Sequence, residues 1–285
     1  MSPFELAQPR TLRDAVGLID ADDASVRAIA GGTALMLMVK SGVFQPTRLV
    51  SLRGVESCYA EIAAAPDGGL RIGALITLSA LGRSSLVKST APVITQTLKT
   101  LSNVRVRNVA TLGGHLAHAD PHMDLPPVLM ALGAQVATIA PAASRTLAVA
   151  DLYTGYYETA LASNELIAEI IVPSQSGKRA AYIKCTTRSA DDWPTLGIAV
   201  ALTVEDSTVK DACLVVSAAT EKPLRLLAAE GVLRGQSVND AVLRHCGEAA
   251  MAEATLVSDA RGSAAYKGEL LRVYLARAVR CALAA

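Results

Sequence analysis

The chain of 285 residues is poor in aromatic side chains, which make up 4% of it, with a single tryptophan. A core built without them rests on Ala, Val, Leu and Ile, which suit buried strands and closely packed helices. The apolar fraction of 51% supplies ample material for it, and the length suits two or three modest cores better than one. Cysteine is sparse too. The five at positions 58, 185, 213, 246 and 281 are dispersed and form no CxxC pair, which excludes a zinc ribbon or an iron–sulfur ligand set in this chain. An odd, scattered count fits a reducing compartment. No apolar run reaches membrane-spanning length, because the stretch 128–143 is broken by Gln135 and Pro141. The start lacks the basic-then-apolar pattern of a secretory signal. Neither sign of charge dominates: the formal net charge is +1, so there is no basic stripe of the kind that nucleic acid requires. These absences lead to the expectation of a soluble, cytoplasmic protein with no transmembrane segment and no nucleic-acid partner.

What is present reads as alternating short elements. Thr11 with Asp14 three places on makes a helix start, followed by the apolar face Ala15, Val16, Leu18 and Ile19. A strand over 26–30, the turn Gly31-Gly32-Thr33, a helical segment 34–39 and a strand over 49–52 make a β-α-β-like unit. Strands at 61–63 and 70–74 are joined across Pro66-Asp67-Gly68-Gly69, a hairpin signal. Helices are expected over 75–86, 91–101 and 128–132, and strands over 134–139 and 166–172. Ser174-Gln175-Ser176-Gly177-Lys178 is the best linker in the chain. Beyond it, 180–186, 197–204 and 212–218 read as three antiparallel strands. Helices follow over 225–233, 239–254 and 264–283. Strands followed by helices indicate an α+β domain.

Two kinds of chemistry compete around residues 111–127. Three of the four histidines, His115, His118 and His122, lie there with Asp120 and Asp124. Such donors suit zinc, iron or manganese, and a mononuclear metal hydrolase on His115, His118, Asp120 and His122 is one reading. The spacing is not that of HExxH, and Pro121 interrupts any helix face shared by these residues. The bland alternative is a set of turn-forming side chains that bond nearby backbone.

The other chemistry is that of paired glycines. At a strand-to-helix junction such as Gly31-Gly32-Thr33, successive backbone N–H groups can converge on an anion. Thr111-Leu112-Gly113-Gly114-His115 repeats the pattern. Two such loops suit the two phosphates of a dinucleotide, although each alone is an ordinary tight turn. Asp124 is positioned either to accept from ribose or ribityl hydroxyls or to cap the helix that follows. On the strand 180–186, alternation puts Tyr182 and Lys184 on one face. A ring beside a cation there suits a planar heterocycle that becomes anionic on reduction, or else is an exposed face with a snorkelling lysine. Arg188, Asp191, Asp192 and Trp193 follow in a loop, as a surface ion pair or a wall for a partner.

Five ordered stretches resemble one family. Ala30-Gly31-Gly32-Thr33-Ala34-Leu35 is similar to the first FAD-binding loop of the flavin subunit of molybdenum hydroxylases, the carbon monoxide dehydrogenase and xanthine dehydrogenase type. Residues 107–114, ending Thr111-Leu112-Gly113-Gly114, resemble the second loop. Residues 119–126, the Tyr182-Ile183-Lys184 strand with Arg188 and 191–194, and residues 259–266 continue the likeness over nearly the whole chain. Two positions depart from the family pattern: Ala110 stands where glycine is usual, and His115 where Asn or Ser is common.

The resemblance implies an α+β fold. Two FAD-binding subdomains, 1–54 and 55–176, would precede a C-terminal domain, 177–285, of a three-stranded antiparallel sheet with a helical bundle. It implies FAD held by Ala30, Gly31, Gly32, Thr33, Ala34, Leu35, Thr111, Leu112, Gly113, Gly114, His115, Asp124, Ile167, Tyr182 and Lys184, with no acid–base catalytic residue. It implies partners: a large molybdopterin subunit and a small subunit with [2Fe–2S] clusters, in a dimer of heterotrimers. Electrons would pass from those clusters through FAD to an external acceptor. A third reading, an assembly module that has lost flavin, is disfavoured by the intact glycine pairs and Lys184.

Overall fold

A computed structural model describes residues 3–285. The N-terminal unit is a three-stranded parallel sheet. Arg48–Ser51 lies at its centre, between Glu5–Ala7 and Val26–Ile29. The helix Leu12–Gly17 covers it and starts as its sequence indicates, with Thr11 Oγ1 accepting from Asp14 N at 3.0 Å. Its small core joins Leu12, Ala15, Ile19, Val26, Val50 and Leu52. The edge strand Glu5–Ala7 carries too little apolar patterning to have been expected.

The middle unit is a five-stranded antiparallel sheet in the order Ile62–Ala64, Leu70–Gly73, Leu166–Val172, Gln135–Ile139, Arg145–Ala148. The expected hairpin over 61–74 is present. The single helix expected over 75–86 is instead two, Leu78–Arg83 and Ser85–Thr90. Thr77 caps the first and Ser84 the second, each side chain accepting a backbone N–H three residues on. The helix expected over 91–101 is shorter, Pro92–Thr97. The helix after Asp124 starts earlier than expected, at Leu125–Ala131, with prolines in its first turn.

The linker is tied down: Gln175 Nε2 donates to Leu132 O and Pro173 O. The last sheet pairs Lys178–Cys185, Leu196–Glu205 and Thr208–Ser217 in antiparallel register. A two-residue strand, Leu224–Arg225, adds a fourth to the three that were expected. The helix expected from 225 therefore starts only at Leu227. Helices Leu227–Leu233, Asp240–Glu253 and Ala264–Leu283 follow.

This sheet is buried on both faces. Ala181, Ile198, Val200, Leu202, Leu214 and Val216 point into the core shared with the C-terminal helices. Their neighbours in the alternation, Ala199, Ala201 and Val215, join the middle unit's core. No helix of the described residues is long and apolar enough to cross a membrane.

Candidate cofactor site

The two glycine loops, about eighty residues apart in sequence, meet in space. A Cβ on Gly31 would lie 2.3 Å from Val109 O and 2.8 Å from Ala110 Cα. The first loop therefore rests directly on the backbone that leads into the second, and only a residue without a side chain fits. Gly32 adopts φ +73°, the left-handed conformation that turns strand Val26–Ile29 into the helix Leu35–Lys40. Ala110, which stands where the family pattern has glycine, is accommodated in the core.

The loops differ in what their donors do. In the second, Leu112 N donates to Ile76 O, Gly113 N to Ala74 O at 2.7 Å, Gly114 N to Thr111 Oγ1 and His115 N to Thr111 O. Those donors hold the loop in place, and Ala74 N in turn donates to Ala168 O beside Ile167. In the first, no acceptor among the described residues engages the N–H groups of Gly31, Gly32, Thr33 and Ala34 or the Thr33 hydroxyl. These half-buried groups are the free donors of the site, and a phosphate-bearing ligand fits them.

The remaining expected residues come together beside the loops. Asp124 does not cap its helix. Its buried carboxylate accepts from Tyr182 OH at 2.7 Å and from Lys184 Nζ at 3.1 Å, and Lys184 also donates to Thr100 O. Burial pushes the Asp124 carboxyl above its ordinary range, opposed by the Lys184 charge. Burial, then the Asp124 carboxylate, raises the Tyr182 phenol. The alternation that put Tyr182 and Lys184 on one face is therefore correct, but the face is inward and not snorkelling.

His115 is buried, and its Nε2 has no partner within the protein. Burial, then the neighbouring His118, lowers its imidazole to about 3, so it is neutral. An orphaned ring nitrogen in such a place fits a ligand hydrogen bond. Ile167 is packed in the middle core, with the helix Leu112–Ala117 against its strand.

The histidines do not converge. His122 Nδ1 faces Asp120 Oδ1 at 2.9 Å and its Nε2 faces Asp259 Oδ2 at 3.2 Å, while His118 lies edge-on to Tyr157. Among the described residues no three His, Cys, Asp or Glu side chains gather in a way that could hold a metal ion. The metal hydrolase reading fails on this geometry. The residues that sequence reasoning missed here are Tyr157 and Lys267, whose partners are far off in sequence and leave no local signal. Trp193, expected in a surface salt-bridge loop or partner wall, stacks on His122 at 5.5 Å and 16°, with the Arg261 guanidinium over it.

Comparison with known proteins gives one consistent answer. Residues 2–175 match the model described as FAD binding domain in molybdopterin dehydrogenase, and 181–282 match that of the CO dehydrogenase flavoprotein C-terminal domain. The carbon monoxide dehydrogenase medium chain of Afipia carboxidovorans is 31% identical, over 99% of this chain and 97% of that one. The glyceraldehyde dehydrogenase medium chain of Sulfolobus acidocaldarius is 28% identical over 97% of each. A chain of the reconstituted CO dehydrogenase from Oligotropha carboxidovorans superposes with TM-score 0.94 at 31% identity, covering 99% of this chain and 98% of that one.

Proposed function

The chain belongs to the FAD-binding medium-subunit family of the molybdenum hydroxylases, and from that premise we propose that it is the electron-transfer module of a multisubunit dehydrogenase. It receives electrons from the [2Fe–2S] clusters of a small partner subunit. Those clusters are in turn reduced by a large molybdopterin subunit; the three different chains form a heterotrimer, and two heterotrimers pair. FAD supplies the redox chemistry, and this chain supplies its binding, orientation and electrostatics.

The observation that carries the reading is the first loop's row of unengaged backbone donors, lying against a second loop whose own donors are spent on holding shape. Ala30 to Leu35 receive the pyrophosphate through those N–H groups. Thr111 to Gly114 form the opposing wall and His115 offers its free ring nitrogen. Asp124 accepts from ligand hydroxyls, and Ile167 packs behind. Tyr182 would edge the isoalloxazine, and the Lys184 ammonium would favour negative charge on it. Division of the chain at 54/55 and 176/177 is supported by the buried residues of the first cluster, which span 12–52, and of the last, which span 181–282; the middle cluster crosses the second boundary through Ala199, Ala201 and Val215.

The test is flavin stoichiometry of the copurified complex. Gly32→Val forces a branched side chain onto the left-handed φ. Gly114→Val presses on Thr111 Oγ1, 2.9 Å from the new Cβ. Both should lose FAD, and full flavin content in both would sink the loop assignment.

A further inference from the structure

One polar network is not used by the cofactor site as read above. Asp120 accepts from His122 N at 2.8 Å, and its other oxygen accepts from Tyr157 OH at 2.6 Å. Across the boundary with the C-terminal unit, Asp259 accepts from Lys267 Nζ at 2.8 Å and from Arg261 N at 2.8 Å. Lys267 is wholly buried, and its ammonium also donates to Ala218 O. His122 lies between the two carboxylates with one ring nitrogen facing each. One ring thus joins a carboxylate on each side of the boundary. Ala218 N adds a backbone tie to Pro121 O at 2.9 Å.

The backbone around this network is held in an uncommon conformation. Ala119, Tyr157 and Ala218 adopt φ of 55°, 59° and 64°. Non-glycine residues in that region persist where their surroundings over-determine them, and such residues gather at functional sites. Asp120, His122 and Asp124 occupy one short turn. Whatever fixes His122 to the C-terminal unit also fixes Asp124 relative to Tyr182 and Lys184, which belong to that unit.

We propose that His122 is a positioning residue of the cofactor site: by bridging Asp120 to Asp259 it sets the 119–124 turn, and Asp124 with it, against the C-terminal domain. The inference rests on the reading of this region as an FAD cradle. His122 touches no cofactor in it and acts through Asp124. Asp120 and Asp259 keep other donors when the imidazole is removed, so each half of the network survives and only the side-chain bridge between them is lost, with the backbone bond from Ala218 N to Pro121 O left in place.

The chain carries one tryptophan, Trp193, stacked on the His122 ring. Its emission therefore reports the position of that ring. The experiment uses wild type, His122→Ala and His122→Asn. Asparagine can keep the bond to Asp120 but is too short to reach Asp259. Each full chain is purified with its copurifying subunits, stripped of FAD and retitrated with FAD. Each chain alone is followed by tryptophan emission and by thermal melting.

Both variants should shift the emission of Trp193 to the red and weaken FAD about tenfold, the effect of one lost charge-assisted hydrogen bond. The apo chain should keep a cooperative melt. Wild-type FAD affinity in both variants overturns the proposal, as does rescue by His122→Asn, which would mean the Asp120 bond suffices. Loss of FAD together with collapse of the apo melt in both reduces His122 to a structural tie and also overturns it. Failure of the wild-type complex to take up FAD would instead overturn the underlying cofactor reading.

Discussion

Replacing Gly31 by alanine adds one methyl group where the two glycine loops touch. That carbon would lie 2.3 Å from Val109 O and 2.9 Å from Val109 C. Ordinary carbon–oxygen contacts begin at about 3.3 Å, so the loops must separate by about 1 Å. Both obstructing atoms are backbone, and no rotamer change relieves the clash. Overpacking of this kind costs about 1–3 kcal/mol, and the absence of a flexible neighbour puts Gly31→Ala at the upper end. For a unit of this size about 3 kcal/mol lowers the melting temperature by roughly 6–12 °C. If the same energy falls on the paired-loop geometry that holds the ligand, FAD affinity drops about a hundredfold. Gly17→Ala is the control, because nothing lies within 4 Å of its added carbon. It should be neutral or slightly stabilising, since alanine is the better helix former. The assay is thermal melting of the chain beside flavin content of the copurified complex. If Gly31→Ala melted like Gly17→Ala and carried a full complement of FAD, the direct contact between the loops would be wrong.

Two further outcomes follow from the buried charges. Lys184→Met leaves the buried Asp124 carboxylate without its cation, at a cost of about 3–5 kcal/mol. Burial already raises the Asp124 pKa in the folded chain, and a raised carboxyl pKa makes stability fall as pH rises through it. The deficit of Lys184→Met in chemical denaturation should therefore be smallest in acid and grow toward neutrality, and a pH-independent deficit would contradict the assignment. Glu165 behaves oppositely: Arg145, with bonds from Thr138 and Ala162 N, holds its carboxyl at about 2. Stability stored there is present above the unfolded value and lost as pH falls through the folded one. Arg145→Ala should lower stability at neutral pH, and the gap to wild type should close between roughly pH 4.5 and pH 2.

The parts of the fold that were legible in the sequence are those governed by local chemistry. Thr11 caps its helix, the hairpin over 61–74 closes at Asp67-Gly68, and Gly31-Gly32 lies at its turn, whereas Gly113-Gly114 lies in the first turn of the helix Leu112–Ala117 that Thr111 caps. The misplaced elements are those where two local rules compete. Apolar periodicity runs on through 75–86, but the Ser84 side chain offers the chain a new start and divides it. The site was legible as a list of residues and not as a set of contacts. Asp124 looks like a helix cap from its neighbours in sequence, and its true partners lie 58 and 60 residues away. The histidines drew attention as metal ligands because density in sequence resembles density in space. In the fold, Pro121 and the left-handed Ala119 splay them: His118 lies against Tyr157, His122 against Asp120, and His115 Nε2 has no partner within the protein.

The scarcity of aromatic residues has a geometric consequence at the sheet buried on both faces. The face turned to the FAD-binding part is built of Ala180, Gly197, Ala199, Ala201 and Cys213 around Tyr182. The face turned to the C-terminal helices carries the isoleucines, leucines and most of the valines. Helix Leu125–Ala131 lies on the small-residue face. It can come near enough for the short side chain of Asp124, just before its first turn, to reach the phenol and the ammonium of the strand below. The alanines thus act as a shim of fixed thickness. They set the reach between two domains, and a polar triad spanning them is possible because the layer between is thin.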